Sequence, residues 1–127
     1  MSLTFYVAGS LDKGNQLKET VTLLEEKGHT ISFDWTIHPV LKPYQEHLDQ
    51  TPLFAQKALN GANECDIFLL FPDEVGGVGQ FVELGAAIFS KRVHSIFIIG
   101  PHNQRSLMFF HPRVQRVDSL DDVLKTI

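Results

Sequence analysis

Short apolar runs alternate along this chain with stretches of helical periodicity. That is the pattern of repeated strand–helix units around a parallel sheet. Residues 3–8, Leu-Thr-Phe-Tyr-Val-Ala, read as a first strand ended by Gly9-Ser10. Residues 14–27 read as a helix with Leu17, Val21 and Leu24 on one face, stopped at Gly28. Residues 30–35 form a second strand by the same reading. Residues 36–50 carry Pro39 and Pro43 and read as a long loop of the kind that covers ligands. Thr51-Pro52, with Thr51 as the capping residue, opens a helix to about Asn63. Residues 66–71 are a buried third strand, 80–91 a helix, 93–99 a fourth strand and 114–117 a fifth. Ser119-Leu120-Asp121-Asp122 has the form of a capping box before a last helix. The expected order of the five parallel strands is 2-1-3-4-5. The turns after strands one and three then meet where the winding of the sheet reverses, the usual place for a ligand.

One of those turns carries the chemistry. Gly76-Gly77-Val78-Gly79-Gln80-Phe81-Val82-Glu83-Leu84-Gly85 follows the third strand and opens a helix. Its glycines let backbone approach a ligand and turn N–H groups toward it. Glu83 is expected in the first helical turn, where the helix dipole favours the ionised carboxylate. A carboxylate of that kind beside a sugar suits attack on an anomeric carbon.

These residues resemble the nucleoside 2-deoxyribosyltransferase family, which includes 2'-deoxynucleoside 5'-phosphate N-hydrolases. The resemblance spans nearly the whole chain. It rests on Tyr6-Val7-Ala8-Gly9-Ser10, Glu64-Cys65-Asp66, the Gly79–Gly85 segment with its glutamate, and Gly100-Pro101. It implies one flavodoxin-like α/β domain over residues 1–127 with a three-layer build. It also implies an enzyme that cleaves or transfers at the N-glycosidic bond of a nucleoside or nucleoside 5'-monophosphate. In that family a glutamate forms a glycosyl-enzyme intermediate, which makes Glu83 the nucleophile and Tyr6 its neighbour at the sugar. Two positions depart from the pattern: Ala58 stands where the family has an aspartate that assists the leaving base, and Gln80 where a small hydroxyl residue is usual.

Asp34 is the candidate to replace that aspartate, and Trp35 beside it a surface on which a base stacks. Gly9, Ser10, Gly77 and Gly79 are the backbone candidates for ligand binding. Lys13 and Arg105 are candidates for holding a phosphate. Asn103 and His102, after the fourth strand, are candidates to complete a neighbouring subunit's site, as the resemblance implies. The Met108-Phe109-Phe110 cluster reads as an interface of a homodimer or larger homo-oligomer. Asp66 and Cys65 read as structural, and Asp73 and Glu74 as solvated loop charges.

Composition narrows the field. The chain has 127 residues, 43% hydrophobic, a single cysteine and a net charge of −4. That balance disfavours nucleic acid polymers and anionic membranes as partners. The histidines lack metal-ligand spacing, so no metal and no cofactor is expected. The N-terminal residues carry no basic, apolar leader, which with the lone thiol points to the cytoplasm. Two rival functions remain. One is a nucleotide-binding sensor without catalysis, favoured by Ala58. The other is a lysine-decarboxylase-like phosphoribohydrolase, whose Pro-Gly-Gly-x-Gly-Thr-x-x-Glu signature is partly matched at residues 75–83, with Val75 and Gln80 in place of the proline and threonine.

Overall fold

Strand β1 (Thr4–Gly9) is an inner strand of the sheet, and it alternates side chains for two different cores. Phe5 and Val7 point to one face, and Tyr6 and Ala8 to the other. In the computed structural model, which describes residues 2–10, 13–38 and 40–127, the remaining elements follow as strand–helix units. They are α1 (Gly14–Glu26), β2 (Thr30–Ile31), α2 (Thr51–Glu64), β3 (Ile67–Phe71), α3 (Val78–Ile88), β4 (Ser95–Ile99), β5 (Val114–Val117) and α4 (Leu120–Leu124). The five strands are parallel, in the order β2-β1-β3-β4-β5. This is the α/β architecture expected from the strand–helix alternation. Met1, Leu11, Asp12 and Pro39, part of the first turn and of the long loop, lie outside the described residues.

The layers follow from the alternation. Leu17, Val21 and Leu24 of α1 and Val123 of α4 pack with Phe5, Val7, Leu69 and Phe97 on one face. Leu84, Ala87 and Ile88 of α3 and Ala62 of α2 pack with Tyr6, Phe68, Leu70, Ile96 and Ile98 on the other. The buried residues of α2, Gly61 and Ala62, lie near its C-terminal end. A Cβ on Gly61 would come 2.9 Å from the Phe33 Cβ and 3.0 Å from the Tyr6 ring. The glycine therefore sets how closely α2 approaches Tyr6.

Several boundaries differ from expectation. β2 is two residues long, because Asp34 accepts from the Thr36 N–H and turns the chain into a 3-10 turn at Trp35–Ile37. α2 starts one residue early: Gln50 is its N-cap, without a side-chain bond, and Thr51 is already helical. α3 starts at Val78, after Gly76 and Gly77 with φ of 79° and 78°, a left-handed pair that suits glycine. The capping box at Ser119 and Asp122 is formed. Phe109 is fully buried and stacks on Phe81 at 5.5 Å, so the expected apolar surface cluster is split: Phe109 belongs to the core while Met108 and Phe110 are exposed. No helix among the described residues is long and apolar enough to cross a membrane.

The close fit at Gly61 yields a paired prediction. Gly61→Ala should destabilise by about 1–3 kcal/mol through overpacking against Phe33 and Tyr6. Gly85→Ala, whose added Cβ meets open space within a helix, should instead stabilise by up to about 1 kcal/mol. Urea unfolding of both variants checks this, and equal effects would refute the steric account.

Candidate active site

β1 and α3, the helix that follows β3, border a cleft of about 510 Å³. β1 contributes Tyr6 and Gly9 to it, and α3 contributes Gly79, Val82 and Glu83. The opposite wall is the α2 face of Thr51, Phe54, Ala55, Ala58 and Leu59, spaced three and four apart as one helical stripe demands. The segment before α2 supplies the rest, with Trp35, His38, Leu41, Lys42 and Tyr44 among its lining residues. Apart from Thr51 the stripe is apolar, and it lines the cleft, while the buried residues of the helix lie at its far end.

Glu83 and Tyr6 are the centre of this wall. The Tyr6 hydroxyl donates to Glu83 Oε2. Tyr6 is fully buried, stacked against Phe68 at 5.7 Å. Its register partner on β3 is that same Phe68. The surroundings decide where the proton sits. Burial, and then the Glu83 charge, push the Tyr6 phenol far above its ordinary value, so it remains the donor. Burial raises Glu83 from about 4.5 to about 7, with the Tyr6 hydrogen bond opposing the rise. This corrects the expectation of a carboxylate held ionised by the helix dipole. Glu83 is the sixth residue of α3, past the first turn where that field acts, and desolvation outweighs it.

The other candidates are distributed unevenly. Gly9, Trp35 and Gly79 border the cleft with Glu83 and Tyr6. The Trp35 indole N–H donates to the Val7 carbonyl at 2.8 Å, which fixes the ring to β1. Gly77 lies behind the wall: a Cβ there would strike the Gln80 carboxamide at 2.7 Å. Gln80 Oε1 and Ser10 Oγ are buried without a hydrogen-bond partner among the described residues. Asp34 is turned to its own 3-10 turn, accepting from the Thr36 N–H and hydroxyl, and the structure does not bring it into the cleft wall. Asn103 is buried, donating to the Val117 carbonyl at 2.9 Å, and is likewise outside the wall. Lys13 pairs with Asp73 at 3.3 Å and donates to the Pro72 carbonyl, tying the turn after β1 to the loop after β3. Arg105 donates to the Gly76 carbonyl at 2.6 Å. Asp66 accepts from the Thr4 N–H at the opposite end of the sheet. Cys65 is buried, its thiol pushed up to about 12 chiefly by desolvation. No group of three His, Cys, Asp or Glu side chains among the described residues is placed to hold a metal.

The sequence reading missed His38, Lys42, Tyr44 and Phe54 as cleft residues. The signal for Phe54 was present in the apolar stripe at 51, 54, 55, 58 and 59, which has no counterpart core to meet. The loop residues carry no periodicity from which their direction could be read.

Architecture and site together define a three-layer α/β fold with a carboxylate–phenol pair at its topological switch point. No family model and no curated protein matches the sequence. Among solved structures the chain is similar to the CMP N-glycosidase BcmB of Clostridium botulinum, with a TM-score of 0.60 and 17% identity. The match covers 97% of this chain and 96% of that one, and at this identity it establishes the shared fold.

The raised Glu83 value makes a stability prediction. The native state holds this proton more tightly than the unfolded chain does. Stability is therefore full below about pH 4.5 and falls as pH rises to about 7. Glu83→Gln keeps an acceptor for Tyr6 but removes the titration. It should gain on the order of 1–3 kcal/mol relative to the parent between pH 4.5 and 8. Denaturant titrations at the two pH values measure this, and a pH-independent difference would contradict the assigned burial of charge.

Proposed function

We propose that the protein cleaves the N-glycosidic bond of a nucleoside or nucleoside 5'-monophosphate, with Glu83 as nucleophile. The observation that carries the proposal is the Tyr6–Glu83 hydrogen bond at the wall of an open, largely apolar cleft. An apolar cleft with few polar groups accepts a flat base and a sugar. The shared fold with a CMP N-glycosidase supports the same bond as the target. So does the sequence resemblance to nucleoside 2-deoxyribosyltransferases.

The residues divide the work as follows. Tyr6 occupies Glu83 Oε2 and thereby fixes the carboxylate plane. The carboxylate attacks C1' of the sugar as the C1'–N bond breaks, giving a glycosyl ester on Glu83. Water, or a second base, then attacks C1' and releases Glu83. Trp35 and Phe54 offer aromatic surface to the base. A second reading, nucleotide binding without turnover, draws on the α2 stripe: Thr51, Phe54, Ala55, Ala58 and Leu59 include no acid for the leaving base.

The test is release of free base from a panel of ribo- and deoxyribonucleosides and their 5'-monophosphates, followed by chromatography. The parent should release base from at least one, and Glu83→Ala and Glu83→Gln should lose at least about 10³-fold in kcat/KM, the size expected when a group at the reacting centre is removed. Saturable nucleotide binding with no base released would favour the sensor instead. Since the attacking carboxylate must be ionised, the acid limb of the kcat/KM profile should climb with pH through about 7. A flat profile from pH 5 to 8 would place the nucleophile elsewhere. Tyr6→Phe should lower kcat with little change in KM.

A further inference from the structure

A base that leaves a sugar takes the electron pair of the broken bond, and it departs faster when a proton arrives with it. The Tyr6 hydroxyl is committed to Glu83. α2 presents Ala58 and its apolar neighbours to the same space. The loop between β2 and α2 is the wall that carries ionisable hydrogens. The geometry points to His38 as the general acid that protonates the leaving base, an assignment that rests on the N-glycoside reading above.

The imidazole borders the cleft and is exposed, yet it is held by two neighbouring rings. It stacks on Phe33 with ring centres 5.1 Å apart and 22° between planes, and meets the Phe54 ring edge-on at 5.4 Å. Phe33 and Phe54 also meet edge-on at 5.4 Å, so three rings hold one another in place. The His38 backbone N–H bonds the Trp35 carbonyl at 3.3 Å, and the Trp35 indole bonds the Val7 carbonyl. His38 is thus tied to the residue that follows Tyr6 on β1. Phe54 and Ala58 stand one turn apart on α2, about 6 Å along its axis. His38, Phe54 and Ala58 line the same cleft. The charged and titratable groups around it are Lys42, Tyr44 and Asp49 on its own segment, Lys57 on α2, Tyr6 on β1 and Glu83 on α3. Of these groups the imidazole is the one that meets the Phe54 ring on α2, and its ring N–H can donate to a base seated in the cleft.

The steps balance. In the first, Glu83 forms a bond to C1', the C1'–N pair passes to the base, and an imidazolium N–H of His38 gives its proton to that base. In the second, the neutral imidazole takes a proton from water as the water oxygen bonds C1'. The Glu83 carboxylate leaves, and both groups return to their starting states.

The experiment compares His38→Gln and His38→Ala with the parent on two substrates. One is the best-cleaved nucleoside or nucleotide of the panel, and the other is the 4-nitrophenyl glycoside of the same sugar, whose leaving group needs no proton. Loss of an acid predicts a 10²- to 10⁴-fold fall in kcat/KM on the natural substrate. On the nitrophenyl glycoside the fall should be less than about threefold, and the descending limb of the pH profile should vanish, as expected when the group that must stay protonated is gone. Equal losses on both substrates, or natural-substrate activity within about threefold of the parent, would overturn the acid role while leaving the nucleophile intact. Failure of the parent to cleave either substrate would overturn both.

Discussion

A phenol buried in the middle of a sheet and a carboxylate on the neighbouring helix share one hydrogen bond, and much of the site depends on it. Tyr6 has no exposed surface, and its hydroxyl needs a partner inside the protein. Glu83 is that partner. In the same low-dielectric setting Glu83 pays for its charge with a raised pKa. Removing either group would leave the other buried and uncompensated. The pair joins the first strand to the helix after the third, the two elements that flank the reversal of the sheet's winding.

The remaining walls follow from how α2 is hung. Its buried residues are Gly61 and Ala62, where a glycine permits contact with Tyr6, and its earlier turns line the cleft. The space between α2 and α3 is the cleft. The segment from Trp35 to Tyr44 closes one side of it and is anchored by Asp34 at its start and the Trp35 indole bond to β1. Asp34 acts here through the backbone. By capping the turn it sets the direction in which Trp35 and His38 leave the strand.

The order of the strands was legible because alternation in β1 and unbroken apolar runs in β3 and β4 are strong signals, and because parallel connections have few arrangements. The nearness of Tyr6 to Glu83 was an implication of the family resemblance, while topology brought together only the turns after the first and third strands. What the sequence hid was local competition. Asp34 could end a strand or cap a turn, and its bond to the Thr36 N–H selects the second, which shortens β2 to two residues. Gln80 and Asn103 are polar residues in buried places, identified only once the surrounding packing is known. The protonation of Glu83 turned on burial, which a linear reading replaced with the helix dipole. Phe109 likewise left the expected surface cluster because Phe81 offers it a ring to stack on.

The central claim is a covalent bond between Glu83 and the sugar, and trapping that bond addresses it directly. A 2-fluoro-substituted nucleoside slows both steps of a double displacement and lets the glycosyl-enzyme accumulate. Mass spectrometry of the digested protein should find one added fluoroglycosyl group on the peptide that contains Glu83, and none in Glu83→Gln. Turnover of the natural substrate with the label on another residue, or with no label at any time point, would contradict the account.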